Sequence, residues 1–290
     1  MAKCLSFHAP YRCRHAGACC RAGWAIPFEP HERERVQTLR LSGGSFTPDG
    51  IAARHADGTC SFFEGDSRLC GIHRTAGQPA LPVSCRMFPR LVLHDGRGTF
   101  ISLSHFCPTA AGLLFESGGA RSPAGIVDAP SALTDVGPLD GLDARNVWPP
   151  LLRPGILMDL ESYGAWERLG VELLTREAVA PDVSLDVLES ATGRVTTWSP
   201  GDPSPLLHAV RDAFGTVAPP TAVLDAHEPA LKRWLAARLF GNWIAYQADG
   251  LQAIVRHLRR CLATFTAELA RDGSPLEAIR RSDLLIVHHP

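Results

Sequence analysis

The sequence predicts an α+β protein, a small cysteine-rich module with a β-hairpin followed by a mostly α-helical region. Three observations carry this expectation. Seven of the nine cysteines fall between positions 13 and 107. Apolar residues run through 91–93 and 100–103 on either side of Asp95-Gly96. The C-terminal half repeats its apolar residues at three- and four-residue steps, the mark of amphipathic helices.

Composition narrows the class. In 290 residues, 45% are hydrophobic and 20% charged, a globular balance. Such a chain can build a core without cysteine staples, which become necessary below roughly 70–80 residues. Lysine and arginine number 29 against 30 aspartate and glutamate, so no basic footprint for nucleic acid is present and no nucleic-acid partner is expected. No stretch approaches the ~18 consecutive apolar residues of a membrane helix. The N-terminus lacks the apolar run of a signal peptide, so a cytoplasmic location is expected.

Taken in order, residues 1–25 read as irregular, ending in a short apolar stretch, Gly23-Trp24-Ala25-Ile26, that could pair as a strand. Pro30 suits the first turn of a helix over 31–41, stopped by Ser42-Gly43-Gly44-Ser45. Residues 46–59 read as loop, and 60–63 with 69–72 as a small hairpin around Gly65-Asp66. The strands 91–93 and 100–103 are expected to join through a type I′ turn at Asp95-Gly96. Pro108 then opens a short helix. Residues 1–120 are read as the cysteine module and 121–155 as a Pro/Gly-rich connector, anchored by Leu139, Leu142, Val147 and Trp148. Residues 156–290 are read as a helical domain, with helices over 157–173, 205–214, 231–246 and 251–269. A last helix is capped at Ser274-Pro275-Leu276-Glu277.

Crowded cysteines need a chemical cause: disulfides, a metal site or redox catalysis. In a reducing compartment disulfides are rare and clustered cysteines more often bind metal or do catalysis. The odd total of nine also argues against full pairing. Candidate metal ligands are therefore Cys13, Cys19, Cys20, Cys60, Cys70, Cys85 and Cys107, with Cys4 and Cys261 outside the group. Thiolate sulfur suits zinc, copper(I) or iron–sulfur clusters, gathered in fours. Adjacent Cys19 and Cys20 can both ligate only from a turn or a helix start, and Gly17 supplies freedom for one. The wider spacings do not match the C-x2–4-C knuckle of zinc fingers. Two zinc sites would want one more ligand, for which His15, His73 or His105 are candidates; a single [4Fe–4S] cluster would use four thiolates and leave three.

At these residues the chain resembles the cysteine-cluster (CxxCxxCC, YkgJ-type) family of zinc- or iron-chelating proteins, and within it the flagellin lysine-N-methylase branch. The matching pieces are Cys13…Cys19-Cys20, Cys60…Cys70-Gly-Ile-His73, Gly77-x-x-Ala-Leu-Pro82-x-x-Cys85-Arg86-x-Phe88-Pro89-Arg90 and Ser104-x-x-Cys107-Pro108-x-Ala110-Ala111. The likeness covers about the first 115 residues, with an echo at Leu276-Glu277-Ala278-Ile279-Arg280. Two departures stand out: Ala16 occupies the place of the family's second cysteine, and the helical part is shorter than in the methylases. The resemblance implies an iron–sulfur or zinc centre. It also implies S-adenosylmethionine-dependent methyl transfer to a protein lysine, with flagellin or a similar protein as partner. The alternative is a non-catalytic zinc- or iron-chelating or metal-trafficking protein.

The residues themselves give methyl transfer no separate support. No glycine-rich loop joins a strand to a helix as a nucleotide cradle. The carboxylate pairs Asp159/Glu161 and Glu167/Glu172 read as solvated helix faces, and Trp166, Trp234 and Trp243 as core.

Overall fold

The computed structural model describes residues 1–41, 43–67, 69–116, 123–215, 220–247 and 249–288. Ser42 of the expected helix stop, and the expected boundary at 120, lie outside these residues.

The chain begins with β1 (Ala2–Leu5), which buries Cys4 and Leu5 completely. This strand lies in the stretch read as irregular. After a loop, α1 (Ala18–Arg21) forms a single turn entered through Gly17 at φ 70, a conformation glycine adopts without strain. In α2 (Pro30–Thr38) the proline stands in the first turn and Glu29 with Glu32 forms a capping box, so the expected helix is present. The small hairpin also forms, between β2 (Phe63–Glu64) and β3 (Leu69–Cys70). Two short helices follow, α3 (Gly71–Ala76) and α4 (Val83–Met87).

The expected β-hairpin is β4 (Arg90–Asp95) against β5 (Gly98–Leu103). Its turn differs from expectation. Asp95 pairs with Gly98, so the loop is Gly96-Arg97, and neither residue has the positive φ that a type I′ turn requires. The cause is Asp95 itself. Its buried carboxylate accepts hydrogen bonds from the Arg97 backbone N–H at 2.8 Å and from the Tyr246 hydroxyl at 2.7 Å. The Arg97 guanidinium pairs with Asp95 and Glu167 and lies over the rings of Phe100 and Tyr163. Glu167 is thus buried in an ion pair and is not part of a solvated face.

α5 (Pro108–Phe115) is followed by β6 (Ile126–Asp128), α6 (Ser131–Thr134) and β7 (Leu142–Asp143). A five-stranded sheet results, in the order β6-β1-β5-β4-β7, with β1 parallel to β5 and β7 parallel to β4. The stretch read as a connector therefore supplies both edges of the sheet. Its expected anchors Leu142, Val147 and Trp148 are 50%, 47% and 78% exposed, while Leu133, Val136, Ala144 and Leu152 are buried in their place.

After the hairpin of β8 (Leu151–Arg153) and β9 (Ile156–Leu157), the chain is helical: α7 (Leu160–Leu174), α8 (Pro181–Val195), α9 (Leu206–Gly215), α10 (Glu228–Leu239), α11 (Leu251–Asp272) and α12 (Pro275–Asp283). α7 starts later than its apolar pattern because the Asp159 side chain caps it, accepting from the Ser162 N–H at 2.8 Å. α8 was not expected. α10 stops short of 246 because Phe240 is extended and Gly241 sits at φ 59; Trp243–Tyr246 then makes one 3-10 turn. Ser274 caps α12 as the sequence suggests.

Alternation in the hairpin divides the core. Leu93 and Phe100 face the helices and share a core with Trp166, Leu188, Trp234 and Leu258. Val92, Ile101 and Leu103 face the other way, against Cys4, Tyr11, Cys107 and Leu113. A third, smaller cluster gathers Cys20, Ile26, Phe28, Cys60, Phe62 and Ile72.

Candidate metal centre

The cysteine cavity lies among residues of the second and third clusters. Cys19 and Cys20 ride on the single turn α1, so Gly17 gives the adjacent pair the helix start they need. Cys70 closes β3 and stands at the N-cap of α3; Cys85 lies within α4; Cys107 is the N-cap residue of α5. Cys13 is exposed on the loop before α1. Six of the seven candidate ligands, Cys13, Cys19, Cys20, Cys70, Cys85 and Cys107, line one cavity of about 70 Å³. Cys60 is buried beside Cys20, to whose carbonyl its N–H donates at 2.8 Å, and does not reach the lining. All nine cysteines are free thiols. Cys4 and Cys261 lie away from the cavity, fully buried, and burial pushes both thiols up to about 12.

The electrostatics divide the thiols by how readily they ionise. Cys20 shares hydrogen bonds with both Cys19 and Cys70, holds its proton between them and is itself raised. Cys19 is lowered by that bond. Cys70 is brought down to about 7, first by the Cys20 thiol and then by the backbone N–H groups of His73 and Ile72 at the start of α3. Burial raises Cys60, Cys85 and Cys107, and the last also contacts the Tyr11 hydroxyl at 4.0 Å. Arg90 also lines the cavity. It donates to the carbonyls of Leu133 and Ala132 at 2.7 and 2.8 Å and lies over the Tyr11 ring.

Of the three candidate histidines, His15 and His73 line the cavity and touch each other, with ring centroids 4.3 Å apart. His105 does not. It is fully buried, its Nε2 lies 3.1 Å from Nε2 of His8, and its backbone N–H donates to Asp283 at 2.7 Å. Of the three alternatives, His105 thus lies off the cavity, its ring in another cluster. Asp283 accepts from Ser104 at 3.0 Å and from the Trp234 indole at 2.9 Å, and pairs with Arg238 at 3.5 Å. The sequence reading missed this cluster, since its members lie far apart in the chain and share no motif.

Zinc or iron is the group such a thiol set implies, and the residues can be tested against it. Among the described residues, no three His, Cys, Asp or Glu side chains stand arranged to hold a metal ion. Cys20 instead bonds to Cys19 and Cys70, which raises its own pKa and lowers theirs. The donor set nonetheless fits the group: soft sulfur, two sulfurs already inclined to ionise, and a walled cavity. Ligation requires side-chain rotation and release of the thiol protons, the usual accompaniment of metal binding.

Among the described residues no helix is long and apolar enough to cross a membrane. No solved structure matches the chain. A tRNA dimethylallyltransferase of Methylibium petroleiphilum is 30% identical over 122 residues, which is 41% of this chain and 37% of that protein. The shared region thus spans little more than a third of that relative's length. Residues 12–108, which contain all seven candidate ligands, match the CxxCxxCC family, described as "Putative zinc- or iron-chelating domain".

Proposed function

We propose that the protein binds zinc or iron on thiolates drawn from Cys13, Cys19, Cys20, Cys60, Cys70, Cys85 and Cys107. The observation that carries this reading is the convergence of six free cysteines, from separate stretches of chain, on one cavity. Thiolates of this kind bind either a tetrahedral zinc or an iron–sulfur cluster such as [4Fe–4S], and a cytoplasmic setting keeps them reduced. Quantifying zinc, iron and acid-labile sulfide after anaerobic purification tests it. Iron with sulfide and a brown colour marks the cluster; colourless protein with zinc marks the tetrahedral site. Protein that takes up neither metal, with its cavity thiols all reacting freely, overturns the reading.

Methyl transfer from S-adenosylmethionine to a lysine of flagellin or a similar protein is supported by the resemblance at residues 77–111 alone. Calorimetric titration with S-adenosylmethionine checks it, and no heat of binding to the metal-loaded protein removes it. The activity named for the tRNA dimethylallyltransferase is not carried over, since the match covers 37% of that protein.

A further inference from the structure

We infer that His15 and His73 supply the imidazole side of the metal centre, taking the place of the thiolate that Ala16 lacks. This rests on the metal reading above and adds to it the ligand class at one wall. The family pattern, C-x-x-C-x-x-C-C, falls on Cys13-x-x-Ala16-x-x-Cys19-Cys20, so its second cysteine is here a methyl group on the cavity lining. The four cysteines of that pattern are three here, with Cys70, Cys85 and Cys107 as the other thiols on the lining.

The neighbouring residues offer a replacement. His15 adjoins Ala16 and sits at φ 54, a left-handed conformation uncommon for any residue but glycine. Its ring meets that of His73 at a centroid distance of 4.3 Å, tilted 57°, and both rings line the same cavity as the thiols. His73 lies in the first turn of α3, three residues after its N-cap Cys70, and both residues line the cavity. Neither imidazole has a hydrogen-bonding partner among the described residues, and the two rings are in contact, His15 exposed and His73 half-buried. Two cationic imidazoles would repel, and two neutral ones gain little from this contact; a cation accepting a lone pair from either ring gives the pair a purpose.

Each imidazole that replaces a thiolate removes one negative charge from the centre. Zinc would then have a mixed nitrogen–sulfur shell, and an iron–sulfur cluster a higher reduction potential than with sulfur alone.

X-ray absorption at the bound metal of the wild-type protein reads the shell directly and is expected to show nitrogen beside sulfur. The double variant His15→Ala, His73→Ala is expected to lose the nitrogen scattering and to bind the metal, added as zinc or as iron with sulfide, at least roughly tenfold more weakly. Adding Ala16→Cys to that double variant is expected to restore metal content with an all-sulfur shell. A sulfur-only shell in the wild-type protein, or a double variant with unchanged affinity and spectrum, overturns the inference while leaving the metal reading intact. Wild-type protein that binds no metal overturns both. His15 is exposed, so circular dichroism should show the variants folded, and the wild-type spectrum decides the matter if they are not.

Discussion

The thiol cavity and the cluster around Asp283 are both built from polar side chains drawn out of water, and they lie close together along the chain, with Cys107 two residues after His105. They are closed in opposite ways. Asp283 is held below the usual carboxylate range: burial pushes it up, but Arg238, His105 and the Trp234 indole outweigh that. Each of its oxygens has a donor, and the cluster joins β5, the loop before α5, α10 and α12. Among the described residues no carboxylate lines the thiol cavity, and its cations are Arg86 and Arg90. Cys20 bonds to Cys19 and Cys70, and the lining also holds two imidazoles that have no hydrogen-bonding partner among the described residues. A buried carboxylate whose oxygens are all paired helps hold a fold together, even with Nδ1 of His8 and His105 left unpartnered beside it, whereas thiols gathered around a space are suited to a ligand.

The largest effect expected from breaking this contrast is at Asp283. Asp283→Ala leaves Arg238 buried without its counter-ion and removes the acceptor of Ser104, His105 and Trp234. Loss of one partner from a buried pair costs about 3–5 kcal/mol. Urea unfolding of the metal-free protein is expected to register a loss of that size. A loss below about 1 kcal/mol would mean that the cluster does not fasten the helices to the sheet.

A smaller effect concerns pH. His8 and His105 are fully buried and held below the ordinary imidazole value, in both cases first by desolvation, and His257 is brought down to about 4, again mainly by burial. Their folded pKa values lie below the unfolded value of about 6.5, so the unfolded chain takes up protons first as pH falls. Stability is therefore complete above about pH 7 and declines below about pH 6.5, by at most about 1.4 kcal/mol per pH unit for each imidazole that stays neutral. Asp283 has the depressed pKa of a paired acid, so its contribution is lost only below about pH 4. Denaturation midpoints between these limits check the first decline, and His105→Gln should reduce its slope. A flat profile from about pH 7 to about pH 4 would show that these imidazoles are protonated in the folded protein.

Much of the local structure was legible because its causes are local. Alternation at 91–103 marked the hairpin, Pro30 marked the start of α2, and the crowding of cysteines marked a common site. β1 was not legible: its four residues owe their strand to pairing with Thr99, Phe100 and Ile101, nearly a hundred positions away. The turn at Gly96-Arg97 was misplaced because Asp95 answers to Tyr246 and Arg97, not to the local preference for Asp-Gly. In the cavity, cysteine spacing pointed to one region but not to its internal division. Which thiols ionise depends on Cys20 standing between Cys19 and Cys70, and on the N–H groups that open α3. His73 and His105 looked alike in sequence; only the fold turns one to the thiols and the other to Asp283.

The smallest effect sharpens the contrast from the other side, through the two cysteines that belong to neither cluster. Cys4 lies in β1 against Ile101 and Leu103, and Cys261 lies in α11 within the helical core, 3.7 Å from the His257 ring. Both are fully buried and both thiols are raised to about 12 by burial, so each behaves as a small apolar side chain at neutral pH. Cys4→Ala and Cys261→Ala each remove one buried sulfur, a loss comparable to a methyl-sized deletion of about 1 kcal/mol. The double variant is expected to unfold about 2 kcal/mol more easily, since the sites sit in different clusters and should add, and to carry the wild-type amount of metal. Unfolding curves and metal analysis on the same samples measure both quantities. Reduced metal in a variant destabilised by no more than this would mean that one of these thiols reaches the centre. The cavity as drawn by its six lining cysteines would then be incomplete.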